Sequence, residues 1–393
     1  MDFYEDYKNY QKEKNKKYNI KKYIKKNNVF FGSGGSSNII IKIDNKKVIK
    51  VIPEFNKEPN LKMIQDNDIK EINFYKIFFN EFIKPSITPH IVGYYNNYKL
   101  INISTIFPKK CLTMDQKLLI KPEKMNYIND KLCELKNLYK FKVLKETADI
   151  IVLENCDTTI ENEIIKILTS KMRNKYDLLE DLLNRIIFQL IYTLTVIQDK
   201  YPTFIHNDLF LRNVLGRMED KYESNDYIEY IYNNESYYFK ANGFCLKLND
   251  FGYSLMPPIV VSKVYYEKIK FNPILSMTYD DNLRDIYTFL YDLYDGENFG
   301  HTSVMKLLEN ANTNSKVVNR IRNIFKKYFD VNVIDKIIKN NKYLLDGQWN
   351  IKHIPLLRKT VMEPKMYFKK GKFNDYKKIP SKNENIVITF EIK

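Results

Sequence analysis

The stretch HNDLFLRNV, residues 206–214, decides how the rest of the chain reads. It sets one His, one Asp and one Asn at fixed offsets among apolar residues that belong in a core. Before it, LLEDLLNRIIFQLIYTLTVIQ (178–198) carries apolar residues on more than one helical face, the pattern of a buried helix. After it, NVLG (213–216) and FCLKL (244–248) read as short strands, the second running into NDFG (249–252). Groups able to do chemistry therefore sit where a helix hands over to a strand.

Upstream, NNVFFGSGGSSNIIIKIDNKKVIKVIP (27–53) reads as strand, glycine-rich turn, strand, tight Asp44-Asn45 turn and strand. NDIKEINFYKIFFNEFI (67–83) has helical spacing, with Asp68 as expected N-cap and Glu71 three residues on. TPHIVGYYNNYKLINI (88–103) and ADIIVLENC (148–156) read as strands, and the Lys-rich text between about 109 and 145 as an irregular insertion. RMEDKYESNDYIEYIYNNESYYF (217–239) reads as a polar excursion, LRDIYTFLYDLY (283–294) as a buried helix, and the chain beyond Gly300 as mainly helical until the strand-like NIVITFEI (385–392). A strand-rich first third and a helix-rich remainder predict an α+β protein with a small sheet lobe and a larger helical lobe. The expected boundaries are a basic extension over 1–28, a first lobe over 29–156, a second over 157–365 and a tail over 366–393.

Bulk properties narrow the class. The 393 residues suit one large two-lobed domain or two domains, and 11 Gly with 13 Pro leave little for long flexible linkers. Cys111, Cys133, Cys156 and Cys245 lie far apart with no CxxC pair, which argues against disulfides or a zinc site and for a reducing, cytoplasmic setting. MDFYEDYKNYQKEK at the start has no apolar core of a signal peptide, and no apolar run approaches a membrane span. The net charge of +16 is spread through Lys-rich text such as KEKNKKYNIKKYIKK (12–26). It would attract nucleic acid, but no recognition motif accompanies it, and the Lys, Asn, Ile and Tyr bias suits an AT-rich genome.

Phosphoryl transfer needs a backbone cradle for phosphates, a Lys held by a carboxylate, a base beside the acceptor hydroxyl, and oxygen ligands for Mg²⁺. The chain supplies candidates in that order. Gly32, Ser33, Gly34 and Gly35 could bring backbone N–H groups to a phosphate. Lys50 lies on a following strand, with Glu71 its favoured partner and Glu81 on the same helix the alternative. Asp208 could orient a hydroxyl and take its proton, while Asn213 and Asp250 offer hard oxygens suited to Mg²⁺. HxDLxxxN followed by DFG, downstream of a Gly-rich turn and VIK, is a specific combination; either half alone could be a turn with a capping Asp.

These elements resemble those of eukaryotic-type protein kinases, from the Gly-rich turn to at least Tyr294. The resemblance implies a bilobal fold with ATP in the cleft, Lys50 on the α/β-phosphates, Asp208 as catalytic base, and Asn213 and Asp250 on Mg²⁺. It further implies Leu153 as gatekeeper, the backbones of Glu154 and Cys156 on adenine, Ile39 and Val48 beside the nucleotide, and Asp285 as the buried anchor of the catalytic loop. His206 reads as structural.

Departures are specific. Ser37 replaces the third glycine, Asn207 the Arg before the catalytic Asp, and Phe210 the Lys two residues after it, while Arg212 stands where tyrosine kinases carry Arg. No APE follows DFG; Asn272-Pro273-Ile274 is a poor substitute. The long excursion between Asn213 and Asp250 and the missing APE are similar to haspin-like and large-DNA-virus kinases, which implies a viral Ser/Thr protein kinase acting on a protein substrate. Two readings compete: a small-molecule kinase of the aminoglycoside or choline type, and a pseudokinase scaffold.

Overall fold

A computed structural model describes residues 29–31, 39–56, 62–111, 127–156, 158–257, 259–260, 283–295, 303–340, 354–381 and 384–391, together with Lys8. The chain divides into two compact units, one of residues 2–76 with 93–155 and one of residues 77–92 with 156–393.

The first unit is built on a five-stranded antiparallel sheet in the order β1-β2-β3-β5-β4. Its strands are β1 (Val29–Phe31), β2 (Ile39–Lys42), β3 (Lys47–Phe55), β4 (Tyr94–Leu100) and β5 (Leu144–Glu154). The turn joining β2 to β3 forms because the Asp44 carboxylate accepts the N–H groups of Lys46 (2.7 Å) and Lys47 (2.8 Å), closing the chain on itself. Between β3 and β4 runs helix α1 (Lys62–Phe78), which continues into a π-helical turn, Phe79–Ile83. Asp68 is therefore interior to α1 and not its N-cap; the helix starts at Lys62 and not at Ile69.

The Lys-rich insertion is more ordered than its composition predicts. It contains helix α2 (Tyr127–Lys140), and β5 begins at Leu144 and not at Ala148. Buried Leu132 and Leu135 lie on the inner face of α2, and Lys136 donates to the carbonyls of Pro108 (2.6 Å) and Lys109 (3.0 Å). Cys111 and Cys133 form a disulfide across a separation of 22 residues, with their Cα atoms 5.7 Å apart. This corrects the expectation of unpaired cysteines. Spacing rules look for close CxxC pairs, whereas here the fold closes a long loop. Cys156 and Cys245 are not disulfide-bonded.

The second unit is organised around helix α4 (Lys175–Lys200), whose residues Ile186–Ile197 are buried on every face. A helix buried all round must satisfy its polar side chains internally. Thr193 and Thr195 donate to carbonyls one turn back, at 2.7 Å each, and Gln189 accepts the Leu246 N–H at 2.9 Å. Preceding α4 are β6 (Thr158–Thr159) and α3 (Ile160–Thr169), and following it are β7 (Val214–Glu219), β8 (Asp226–Tyr232), β9 (Glu235–Lys240) and β10 (Gly243–Leu248). β10, β7 and β6 form one three-stranded sheet.

The supposed polar excursion is largely the β8–β9 hairpin. Asn233 and Asn234 both adopt left-handed φ (51° and 61°), which matches the right-handed twist of a two-residue turn. The C-terminal β11 (Asn385–Glu391) lies parallel to β8, so the tail belongs to this unit's third sheet, β11-β8-β9. Helices α5 (Arg284–Asp295), α6 (Val304–Asn310), α7 (Ser315–Tyr328), α8 (Val331–Asn340), α9 (Ile354–Thr360) and α10 (Pro364–Lys369) supply the helical remainder, and α10 spans the 365/366 position where a tail was expected to begin. Among the described residues no helix is long and apolar enough to cross a membrane.

Candidate active site

Lys50 is the ninth-tenths-buried kind of lysine that needs a partner, and it has one. Its Nζ lies 2.7 Å from both Glu71 carboxylate oxygens, with the Lys side chain 7 % and the Glu side chain 1 % exposed. An ion pair this dry survives only with bidentate geometry of this kind. Glu81, the alternative, instead binds Lys200, and both of these lie in the second unit, so the ambiguity between the two glutamates is resolved for Glu71.

The pleat of the first unit's sheet then sorts the other candidates. Residues directly opposite in an antiparallel pair share a face, and the face alternates along each strand. Lys50 is opposite Ile151 and Ile40, and Val48 is opposite Leu153. Val48, Lys50, Leu153 and Ile151 therefore line one face. Ile39 does not join them. It pairs with Val51 on the opposite face and is fully buried, which corrects its expected place beside Val48; Ile40 is the β2 residue opposite Lys50. The Glu154 N–H is taken by the Gly93 carbonyl at 2.8 Å, and its carboxylate accepts the Gly93 N–H at 3.0 Å. Cys156 is half-buried. Gly32, Ser33, Gly34, Gly35 and the segment of Asn272-Pro273-Ile274 lie outside the described residues.

In the second unit the opening stretch is a loop held from below. The Asp285 carboxylate, fully buried in α5, accepts the N–H groups of His206 (2.6 Å) and Asn207 (2.8 Å). His206 is itself buried, its Nε2 facing the Asn249 carbonyl at 3.0 Å and its ring tilted over Phe251 at 5.1 Å. Asn207 takes a left-handed φ of 70°, a conformation Asn tolerates far better than the Arg expected there. Asp208 follows. Its Oδ1 accepts Arg212 Nη2 at 2.9 Å, while Asn213 Nδ2 donates to its Oδ2 and to its backbone carbonyl, both at 2.7 Å. With its amide nitrogen so engaged, Asn213 turns its Oδ1 away from Asp208.

The strand carrying DFG joins this loop through the Asn249 N–H, 3.1 Å from the Asn213 carbonyl. Asp250 adopts a left-handed φ of 63°, which swings its carboxylate out of the strand register. Burial pushes Asp208 above the ordinary Asp pKa. The Arg212 charge opposes the shift, and the Asp250 charge adds to it. Burial also raises Asp285, against the pull of its two backbone donors.

No family model matches the chain. A protein of Acanthamoeba polyphaga mimivirus named "putative serine/threonine-protein kinase" is 34 % identical over 371 residues, covering 91 % of each chain. The chain belongs to a viral protein-kinase-like family. A second mimivirus protein of the same description is 31 % identical over 101 residues, 24 % of this chain and 22 % of that one.

Sequence reading missed two residues of this kinase-like loop. Arg212, noted only as a tyrosine-kinase position, clasps Asp208 and lies over the Phe210 ring at 4.5 Å. The stacking shows what Phe210 does in place of Lys: it fixes the guanidinium. Asp292, two turns along α5 from Asp285, accepts the Leu211 N–H at 2.7 Å. Burial raises its pKa to about 7. Its signal was present as a carboxylate on the same face as Asp285 within the apolar run IYTFLYDLY.

Proposed function

We propose that the protein transfers the γ-phosphoryl group of Mg-ATP to a protein hydroxyl, of Ser or Thr. What carries the reading is the clasp on Asp208: one carboxylate oxygen bound by Arg212, the other by Asn213, in a loop anchored from α5. A carboxylate bound once on each oxygen keeps lone pairs for a third donor, the acceptor hydroxyl. Its raised pKa makes it a better proton acceptor than a solvated Asp. The two amide bonds of Asn213 and the bond from Arg212 hold it in one rotamer, so the hydroxyl is oriented before transfer.

Asn213 Oδ1 and the Asp250 carboxylate are hard oxygen donors, and a site with one carboxylate and one amide suits Mg²⁺, which keeps waters and phosphate oxygens as further ligands. When bound, the metal would neutralise charge on the β- and γ-phosphates. Lys50, kept in place by Glu71, would donate to the α/β-phosphates, and the strand face of Val48 and Leu153 would pack against adenine. The Ser/Thr assignment is supported by the name of the mimivirus relative.

Replacing Asp208 by Asn tests the reading. It should cut transfer by at least about a hundredfold, the usual contribution of a positioned base, with Mg-ATP binding retained. The assay uses labelled ATP with a protein mixture and, separately, a metabolite panel. Transfer at the wild-type rate by the variant would reject the role of Asp208, and label appearing only in metabolites would reject the protein acceptor.

A further inference from the structure

Helix α5 buries three carboxylates, and two of them, Asp285 and Asp292, are seven residues apart, which is two turns and places them on one face about 10.5 Å from each other. Asp285 receives the backbone N–H groups of residues 206 and 207, just before Asp208. Asp292 receives the N–H of Leu211, just after it and at the start of the 3-10 turn Leu211–Asn213. The loop is thus pinned to the helix on both sides of Asp208, and the second pin holds the turn that presents Arg212 and Asn213.

Asp292 is fully buried, and its Oδ1 has no hydrogen-bond partner. An unsatisfied carboxylate oxygen in a dry site is unfavourable, and an apolar side chain of similar volume would avoid it. The Arg212 charge opposes the effect of burial on Asp292 as it does on Asp208.

Resting on the phosphoryl-transfer reading above, we propose that Asp292 is a positioning residue: through the Leu211 N–H it sets the Leu211–Asn213 turn, and so keeps Arg212 and Asn213 on the Asp208 carboxylate. It acts through the turn and touches neither nucleotide nor acceptor.

Asp292→Leu and Asp292→Asn, compared with wild type, test this by amide exchange of residues 207–214 and by steady-state kinetics with Mg-ATP. Losing the hydrogen bond to Asp292 should make exchange over Leu209–Asn213 about tenfold faster and lower kcat about tenfold, with the KM for ATP unchanged. The Asn variant, whose carboxamide oxygen accepts the same bond, should restore most of both. If Asp292→Leu does not fold, Asp292→Ser, too short to reach the amide, takes its place. Wild-type exchange and kcat in the Leu or Ser variant would overturn the proposal, as would an Asn variant as impaired as the Leu variant. If the wild-type protein transfers no phosphate at all, the functional reading falls, while the exchange measurement still decides whether Asp292 holds the turn.

Discussion

Breaking the Lys50–Glu71 pair should separate what the pair does for stability from what it does for transfer. Both side chains are nearly sealed from water, and Lys50 reaches both carboxylate oxygens at 2.7 Å. Lys50→Met keeps the length of the side chain but leaves the Glu71 carboxylate in a low-dielectric site without its cation. Such a loss costs about 3–5 kcal/mol, a large part of the roughly 5–15 kcal/mol that holds a domain together. Glu71→Leu strands the ammonium instead and should cost a similar amount. The double variant Lys50→Met with Glu71→Leu removes both charges and leaves an apolar contact between β3 and α1. It should therefore lose much less than the sum of the singles, with a coupling of about 3 kcal/mol. Urea denaturation followed by circular dichroism measures the cycle, and amide exchange in β3 assigns the loss to this unit. All three variants should lack phosphoryl transfer, because two lack the ammonium and Glu71→Leu leaves it without the carboxylate that holds it in place. Additivity within about 0.5 kcal/mol would show that the pair is not energetically coupled and would refute the geometry. Transfer by the double variant would refute the role given to Lys50.

Two further outcomes follow from the cores of the second unit. His90 is fully buried between the Leu246 carbonyl and the Tyr230 hydroxyl, and burial lowers its pKa to about 3. The unfolded chain binds its proton near pH 6.5, so the fold keeps this stability above that pH and loses it as pH falls, by about 2 kcal/mol at pH 5; His90→Asn should flatten the slope of stability between pH 5 and 7, and an unchanged slope would count against a neutral buried His90. Gly216 on β7 has the Phe244 ring 2.1 Å from where a Cβ would sit. Gly216→Ala should destabilise by about 1–3 kcal/mol through overpacking, and a thermal midpoint equal to wild type would show that the ring moves freely.

The sequence was most legible where local chemistry and burial agree. The stretch 206–214 stands out because Asp208 and Asn213 interrupt an apolar run, and α4 because its apolar residues from Ile186 to Ile197 leave no polar face. The β8–β9 hairpin was hidden by composition. Tyr227, Tyr230, Tyr232, Tyr237 and Tyr238 are amphipathic, so alternating burial reads as polar text, and Asn233-Asn234 signals a turn only once its flanks are seen as strands. α2 was hidden by its polar text: Lys136 turns its ammonium to the carbonyls of Pro108 and Lys109, and only Leu132, Cys133 and Leu135 mark a buried face. The start of α1 and the register of Ile39 are set by tertiary contacts: a one-residue difference on β2 exchanges the faces of Ile39 and Ile40, and nothing in IIIK distinguishes them. The parallel docking of β11 on β8 joins residues more than 150 positions apart, beyond the reach of any local pattern.

The loop around Asp208 stores backbone strain that the anchors must outweigh. Asn207 and Asp250 both sit in the left-handed region, where each costs about 1–2 kcal/mol even for the residues that tolerate it best. Against this, Asp285 makes two hydrogen bonds from a charged acceptor, at 2.6 and 2.8 Å, each contributing about 1.5–3 kcal/mol. The Asn207 amide adds a bond to the Tyr253 carbonyl at 3.3 Å, and Ser254 Oγ one to the His206 carbonyl at 3.0 Å, tying the loop to the segment after DFG. The anchors exceed the strain only because they lie in the buried floor made by α5, where water cannot compete for the same donors. The substitution of Asn for Arg at 207 follows the same logic. A short amide side chain fits a left-handed backbone over that floor and bonds the Tyr253 carbonyl in the 3-10 turn after Asp250.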